Sequence, residues 1–276
     1  MTRHKCSSSR TVGGLEPGLE TFAGFFERWL QEQERDLQDL IRVAKSDSES
    51  TQSVAELVNR VMGHYSNYYR VKSESSKHNA CEMLTPAWRS HLEDAFLWIG
   101  GWRPSMAFHL LYSKSGLQLE AGLTELLAGL STGDLGDLSA RQLARVDELH
   151  RHTVREEKEL TEKMAAHQET VADSSMVQLS HVVTELMHGG DSGNGTESVD
   201  QRVNSALVSK EEGLEQILGK ADDLRLKTLK KVVDILSPIQ AVHFLIAAAE
   251  LHLRVHEWGR KKDAQAKEST KPTKIC

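Results

Sequence analysis

The stretch from Phe96 to Ser105 reads FLWIGGWRPS and indicates a sharp corner between two helices. Glycine tolerates backbone conformations that end a helix and lets two backbones approach closely, and a proline just beyond opens the next helix. Large indole rings on both sides of the glycines suit such a packed corner, and the arginine can hold a carboxylate across it. We interpret six residues as structural, with a partner-binding patch as the alternative: Trp98, Gly100, Gly101, Trp102, Arg103 and Pro104.

Outward from this corner, apolar residues recur at steps of three and four along most of the chain, which predicts amphipathic helices. Thr85-Pro86 predicts the start of a helix that runs to Ile99, because a hydroxyl N-cap followed by proline is a strong start signal. Ser237-Pro238 repeats this signal, and Ser139 caps a long helix that can kink near Asp173. No alternating strand pattern is found. The sequence therefore predicts an all-α fold, a single bundle of roughly eight helices with long antiparallel members.

The chain divides into one folded domain and two polar ends. Residues 1–17 are polar and small, and we expect a disordered lead there. The helical domain is predicted over residues 18–260, with a flexible glycine-rich loop at about 189–198. Residues 261–276 are rich in lysine and are predicted to form a basic disordered tail.

Composition excludes several classes of function. The chain has 276 residues, of which 39% are hydrophobic and 27% charged, and a net charge of −6 provides no basic field for nucleic acid. Three scattered cysteines are too few for a disulfide framework. The sequence shows neither a signal peptide nor a run of about 20 apolar residues that could span a membrane. We expect no direct nucleic-acid binding, no membrane association, and a location in the nucleus and cytoplasm.

Motifs for catalysis are missing from the sequence. It contains no phosphate-binding loop, dinucleotide-binding glycine turn, C-x-x-C pair or H-E-x-x-H pair, and no G-x-S-x-G nucleophile elbow. The prediction is that the protein is not an enzyme.

The corner motif resembles the signature of a plant protein family, and other blocks agree with it. The domain in question is shared by the Delay of Germination (seed dormancy control) proteins and by the C-terminal half of TGA-type bZIP transcription factors. The resemblance spans about Phe22 to Arg260. Besides Phe96–Ser105 it is carried by the following segments: His64–Lys72 with Trp88, Ala221–Arg225 with Thr228-Leu229, and Ile235–Ala241.

The resemblance implies a function. TGA-type factors carry a basic region and a leucine zipper before this domain, and no such segment precedes it here, so we expect a stand-alone Delay of Germination-like protein that does not grip DNA as a bZIP dimer. By resemblance it would regulate seed dormancy, germination and abscisic-acid signalling by binding type 2C protein phosphatases, with haem as a possible ligand. The alternative is a transcription cofactor that pairs with TGA-type bZIP factors.

Two histidines on the last helix are candidate haem ligands. His252 and His256 lie four residues apart, so both side chains emerge on one helical face. The resemblance favours this pair, because the family's haem-linked histidines match this stretch, and one imidazole would be an axial ligand. The alternative is a pair of solvated histidines near a helix C-terminus.

Two further surfaces are candidates for protein contacts. The first helix carries more large aromatic side chains than one buried face needs. Phe25, Phe26 and Trp29 could therefore be buried in the core, or they could form a recognition helix that contacts a partner protein. The charged helix around Glu156–Glu169 has near-heptad apolar steps, which leaves open a solvated bundle ridge or the seam of a homodimer.

Overall fold

A computed structural model describes residues 21–46, 50–122, 133–189 and 195–269. Within these ranges the chain forms nine α-helices, two single 3-10 turns and one isolated β-bridge, which confirms the all-α prediction. No helix in this part of the chain is both long and apolar enough to cross a membrane. The helices are α1 (Phe22–Ala44), α2 (Thr51–Ser76), α3 (Ala80–Leu84), α4 (His91–Asp94), α5 (Met106–Ala121), α6 (Ala140–Glu169), α7 (Ser174–Gly189), α8 (Gly195–Ile235) and α9 (Pro238–Ser269).

Three local helix signals are confirmed. Ser139 caps α6 through a reciprocal capping box with Gln142. The Ser237 hydroxyl accepts a hydrogen bond from the Gln240 amide at 3.3 Å, and α9 begins at Pro238. The expected interruption lies at a 3-10 turn, after which Asp173 accepts a bond from the Met176 amide at 2.9 Å and starts α7.

The helix predicted from Thr85-Pro86 to Ile99 is wrong. Thr85 follows the short helix α3, with φ −125° and ψ 68°, and the chain then turns. The true start is Ser90, whose capping box with Glu93 opens α4, a helix of only four residues. The glycine pair therefore does not end a long helix.

Two predicted boundaries also shift. Gly189 ends α7 and Gly195 begins α8, so residues 195–198 of the expected loop are helical, while 190–194 lie outside the described residues. Residues 261–269 continue α9 instead of forming a disordered tail, because they are good helix formers and Asp263 accepts a bond from the His91 amide at 3.1 Å. Residues 1–17 and 270–276 lie outside the described ranges.

Helix α9 lies at the centre of the bundle, packed against α1, α2, α4 and α5. Its first half is nearly all buried, because α9 is apolar on every side there. Each large apolar side chain buried in this way stabilises the fold by about 1.5–3 kcal/mol. The buried apolar residues of this half are Ala241, Val242, Phe244, Leu245, Ile246, Ala247 and Ala249.

Helices α6 and α8, although separated in the chain by α7, pack side by side as a long antiparallel pair. Gln142 donates to the Ile235 carbonyl at 3.1 Å, and near the other end of α6 His167 lies 2.8 Å from the Lys210 carbonyl oxygen. Val146 and Leu160 of α6 are buried within the chain. Part of the apolar stripe of α6 is therefore used inside one molecule, while Leu143 and Val154 are exposed, and a homodimer stays a prediction.

Candidate functional site

The corner motif forms a tight two-residue turn. The Trp98 amide donates to the Gly101 carbonyl at 2.8 Å, and the Gly101 amide donates back to Trp98 at 3.2 Å. Ile99 and Gly100 between them have φ values of 43° and 67°, the left-handed backbone that a primed hairpin turn requires. A Cβ atom on Gly100 would lie 2.7 Å from the Met83 carbonyl oxygen, so only glycine fits.

A buried arginine of α8 holds this turn together. Arg225 is fully buried, and its guanidinium donates to the carbonyl oxygens of Trp98, of Ile99 at 2.8 Å and of Trp102 at 2.6 Å. It also pairs with Asp222 at 2.5 Å and lies 5.3 Å from the centroid of the Trp98 ring. Three backbone carbonyl groups at the turn thus find a donor on α8.

A second buried cation completes the network. Lys72 of α2 donates to the Gly100 carbonyl at 2.8 Å and pairs with Asp222 at 3.0 Å. Burial lowers the pKa of Lys72 to about 8, although the charge of Asp222 opposes this shift. One carboxylate, Asp222, therefore serves both Lys72 and Arg225.

The remaining corner residues also make contacts inside the fold. Arg103 Nε lies 2.8 Å from Oε2 of Glu157, the carboxylate across the corner. Trp98 Nε1 donates to the Thr161 hydroxyl at 3.0 Å, and Trp102 Nε1 donates to the Tyr69 hydroxyl at 2.8 Å. Pro104 is buried. These contacts favour the structural interpretation of the motif over a partner-binding patch.

Beside the turn lies a cavity of about 200 Å³. Its wall is mainly apolar, with aromatic and aliphatic side chains in similar numbers, and charged side chains of α2, α4, α8 and the segment before α4 reach it. The cavity opens to the surface beside exposed apolar side chains of the corner and of α5 and α9. The aromatic lining residues are Trp29, Tyr65, Tyr68, Tyr69, Phe96, Trp102 and Phe244, and the ionisable ones are Lys72, Arg89, Glu93, Asp222, Arg225 and His252.

His252 lines this cavity as a neutral imidazole of defined tautomer. Its Nδ1–H donates to Gln33 Oε1 at 2.7 Å, and the Gln33 amide in turn donates to the Tyr65 hydroxyl at 3.0 Å. Burial, together with the charge of Arg89, lowers the pKa of His252 to about 3. Because Nδ1 carries the proton, Nε2 keeps a lone pair that can accept a hydrogen bond or bind a metal.

His256 has a different environment. Its Nδ1 lies 3.0 Å from Glu93 Oε2, and its buried Nε2 has no hydrogen-bond partner in the part of the chain that the structure describes. Burial acts to raise the pKa of Glu93, but hydrogen bonds from His256 and Ser90 outweigh it and bring that pKa to about 2. The ring of His256 packs 5.9 Å from that of Phe26 and is not part of the cavity wall.

The two histidines therefore fit haem only in part. The neutral imidazole of His252, whose orientation is fixed by the Gln33 amide, could bind a haem iron through Nε2. The cavity is smaller than the roughly 300–1,000 Å³ that encloses drug-sized ligands, so it cannot enclose the macrocycle as it stands. His256, buried beneath Phe26, does not face the same space as His252, so the structure does not support the predicted pair.

The assignment of a recognition helix to α1 is wrong for two of its three residues. Phe26 and Trp29 are buried against α2 and α9, where they pack on Tyr68 and His252 among others, so they cannot contact a partner. Phe25 is half-buried and packs on Phe22 and Tyr68. Core burial was the correct alternative.

Exposed apolar side chains surround the mouth of the cavity instead. Phe96 is 69% exposed and Leu251 is 43% exposed, and both line the cavity together with the exposed Met106. Trp258, which is 56% exposed, follows Leu251 by two helical turns on the same face of α9 and extends this apolar surface about 10 Å beyond the cavity wall. We call these four residues the apolar rim. Sequence reasoning missed it, because only the fold brings the corner, α5 and α9 together.

Comparisons with known proteins identify the family. A family model described as DOG1, seed dormancy control, matches residues 35–113. Protein DOG1-like 3 of Arabidopsis thaliana is 34% identical over 250 residues, which cover 88% of this chain and 85% of that protein. Protein DOG1-like 1 of the same plant is 31% identical over 265 residues, covering 89% of this chain and 91% of that protein.

The similarity extends to part of a class of transcription factors. Transcription factor TGAL3 of Oryza sativa subsp. japonica is 31% identical over 245 residues, which cover 89% of this chain but only 56% of the factor. The similar part of the TGA factors is their C-terminal region. Neither the family description nor any of these names denotes an enzyme. With 34% identity to DOG1-like 3 across most of both proteins, this chain belongs to the DOG1 family of seed dormancy control, and its domain is related to that of the TGA transcription factors.

Proposed function

We propose that this protein is a non-enzymatic regulator of seed dormancy and germination in abscisic-acid signalling, and that it acts by binding type 2C protein phosphatases. Membership of the seed dormancy control family supports the process, and the apolar rim is the observation that supports protein binding. Clustered exposed apolar side chains beside a pocket are typical of protein–protein interfaces, whose binding energy is concentrated in a few aromatic anchors. Phe96 and Trp258 are such anchors.

The rim predicts a specific loss of binding. In the double variant Phe96→Ser/Trp258→Ser we expect affinity for a purified type 2C phosphatase to fall at least about tenfold, because two exposed aromatic anchors are removed. The measurement is biolayer interferometry on the full chain. Since both side chains are exposed, the variant should keep its helical circular dichroism.

A matched variant controls for loss of exposed apolar surface in general. Val171 and Val177 lie near the junction of α6 and α7 and are 65% and 59% exposed, so Val171→Ser/Val177→Ser should bind like the wild type. Equal binding by the rim variant and the wild type would show that the rim is not the interface. Failure of the wild-type chain to bind any phosphatase of this class would overturn the proposed function itself.

A second candidate function is that of a transcription cofactor. The observation that favours it is the similarity to TGAL3 across 89% of this chain, since related domains can pair with one another. Biolayer interferometry with a TGA-type factor in place of the phosphatase separates the two functions.

Either partner supports a nuclear location, with the cytoplasm as a second location. Imaging of the fluorescently tagged chain measures where the protein is found.

We further propose that haem, if bound, is held by His252 alone. When bound, haem would supply an iron centre, and the imidazole of His252 would hold it. Gln33 already fixes the required tautomer, but the mouth of the cavity must widen to admit the macrocycle. In a haemin titration we expect His252→Asn to lose the Soret band of the complex and His256→Asn to keep it. The reverse result would show that His256, and not His252, binds the haem iron.

A further inference from the structure

The size of the cavity favours a compact ligand. An engineered cavity of about 150 Å³ lined by apolar side chains is large enough to bind benzene. The cavity of about 200 Å³ beside the corner therefore has room for one substituted ring without any change in the structure. Rings of Trp29, Tyr68 and Phe244 line it, and aromatic pairs in offset or edge-to-face contact gain energy beyond their buried area.

One cation of the cavity wall has no carboxylate of its own. Lys72 and Arg225 both pair with Asp222, whereas no Asp or Glu of the described ranges forms an ion pair with Arg89. The guanidinium of Arg89 lies 5.7 Å from the centroid of the Phe26 ring and is hydrogen-bonded to the Tyr68 side chain, while its buried Nε has no hydrogen-bond partner among the described residues. A buried donor without a partner is costly, and an incoming carboxylate would remove that cost by forming a charged hydrogen bond.

The neighbouring groups suit an acid better than a base. Glu93, another carboxylate of the cavity wall, is held through Oε2 by Ser90 and His256, while its buried Oε1 has no partner among the described residues, so the carboxylate of a ligand must lie on Arg89 and away from Glu93. His252 lies on the same wall as a neutral ring, with its Nδ1 bonded to Gln33. The cavity wall thus has one positive charge more than its carboxylates balance, and an anionic ligand would balance it.

From this geometry we propose that the cavity binds a small aromatic monocarboxylate, with its ring among the aromatic side chains and its carboxylate on Arg89. The proposal goes beyond protein binding and does not depend on haem. Entry is from the surface at the apolar rim, so the ligand would lie directly beneath the surface proposed for partner binding.

Two matched probes test the proposal. Phenylacetate and phenylacetamide have nearly the same shape, and only the first carries a negative charge. Trp29 and Trp102 line the cavity, so binding is read from intrinsic tryptophan fluorescence of the full chain. We expect the wild type to bind phenylacetate at least about tenfold more tightly than the amide, as a charged hydrogen bond implies.

The variants separate charge recognition from shape. Arg89→Gln should reduce the preference for the acid to less than about threefold while leaving amide binding nearly unchanged. Ala248→Leu, which fills part of the cavity, should weaken both probes. Arg254→Gln is the matched control, because this exposed arginine of α9 pairs with Glu34 and Glu257 and is not part of the wall.

Three results would overturn the proposal. An Arg89→Gln variant that keeps the full preference for the acid would show that Arg89 does not hold the carboxylate. Tighter binding of octanoate than of phenylacetate would exclude an aromatic ligand class. Absence of binding by the wild type, with the fold intact by circular dichroism, would show that the cavity binds neither acid.

Discussion

Replacing Arg225 by alanine is expected to lower the free energy of unfolding by about 3–5 kcal/mol, because a large, fully buried side chain is removed and the backbone groups that it satisfies lose their donor. Asp222 keeps Lys72 as its ion-pair partner, so the loss arises mainly at the turn. The carbonyl groups of Ile99 and Trp102 would lose the guanidinium as donor, whereas that of Trp98 would keep the Gly101 amide. A typical domain has a total stability of about 5–15 kcal/mol. A loss of this size would therefore leave a large fraction of the molecules unfolded on mild heating.

Urea denaturation followed by circular dichroism measures the effect. Lys227→Ala is the matched control on the same helix, since Lys227 makes an exposed ion pair with Glu156 at 2.9 Å that is worth less than about 1 kcal/mol. Arg225→Lys keeps the charge but cannot reach three carbonyl groups at once, so its stability should lie between those of the alanine variant and the wild type. A loss below about 1 kcal/mol for Arg225→Ala would contradict the assigned role.

The same network shows which features were accessible from the sequence. Ser139, Ser237-Pro238 and the break at Asp173 are local signals, since a cap and its helix lie within a few residues. The network itself joins Lys72 to Asp222, which are 150 residues apart. Lys72, Asp222 and Arg225 lie in segments that carry the family resemblance, but no pattern in the sequence predicts that their charged groups meet at the turn.

The failed helix start shows how two local signals can compete. Thr85-Pro86 has the form of a helix start, yet four residues after Pro86 Ser90 begins the sequence S-H-L-E, which is a complete capping box. The reciprocal box satisfies two backbone donors where a single hydroxyl cap satisfies one. Giving more weight to the box would have placed α4 correctly.

The histidines and the aromatic helix show the limit of helical periodicity. Spacing alone places His252 and His256 on one face of α9. Different elements cover that face: α1 contacts it at His252, and α4 contacts it at His256. Gln33 thus meets His252, and Glu93 meets His256, across 219 and 163 residues. The same docking of α1 onto α9 buries Phe26, so the role of each ring depends on tertiary packing that periodicity does not describe.

The buried neutral state of His252 leads to the last prediction, a loss of stability in mild acid. Burial and the charge of Arg89 lower the pKa of His252 to about 3, compared with about 6.5 in the unfolded chain. Between these values the unfolded chain binds a proton that the folded chain does not. Stability due to the neutral ring is therefore complete above about pH 6.5 and is lost progressively as the pH falls towards 3.

The size of the effect follows from the same shift. A difference of one pKa unit corresponds to about 1.4 kcal/mol, so lowering the pH from 7 to 4 should remove about 3 kcal/mol from the wild type through this one residue. His252→Asn keeps a donor for Gln33 but cannot be protonated in this range. The variant should be less stable than the wild type at pH 7, and the difference should shrink by about 3 kcal/mol at pH 4.

Urea denaturation of both proteins at several pH values isolates this residue, because all other titrating groups, including Glu93 and His256, are present in both. His181→Gln is the control, since that histidine is exposed on α7 and pairs only with Glu185 at 3.4 Å among the described residues. Its pH profile should follow that of the wild type. A difference between the wild type and His252→Asn that stays constant from pH 7 to pH 4 would mean that the folded chain protonates His252 as readily as the unfolded chain does, and that burial and the charge of Arg89 do not lower its pKa.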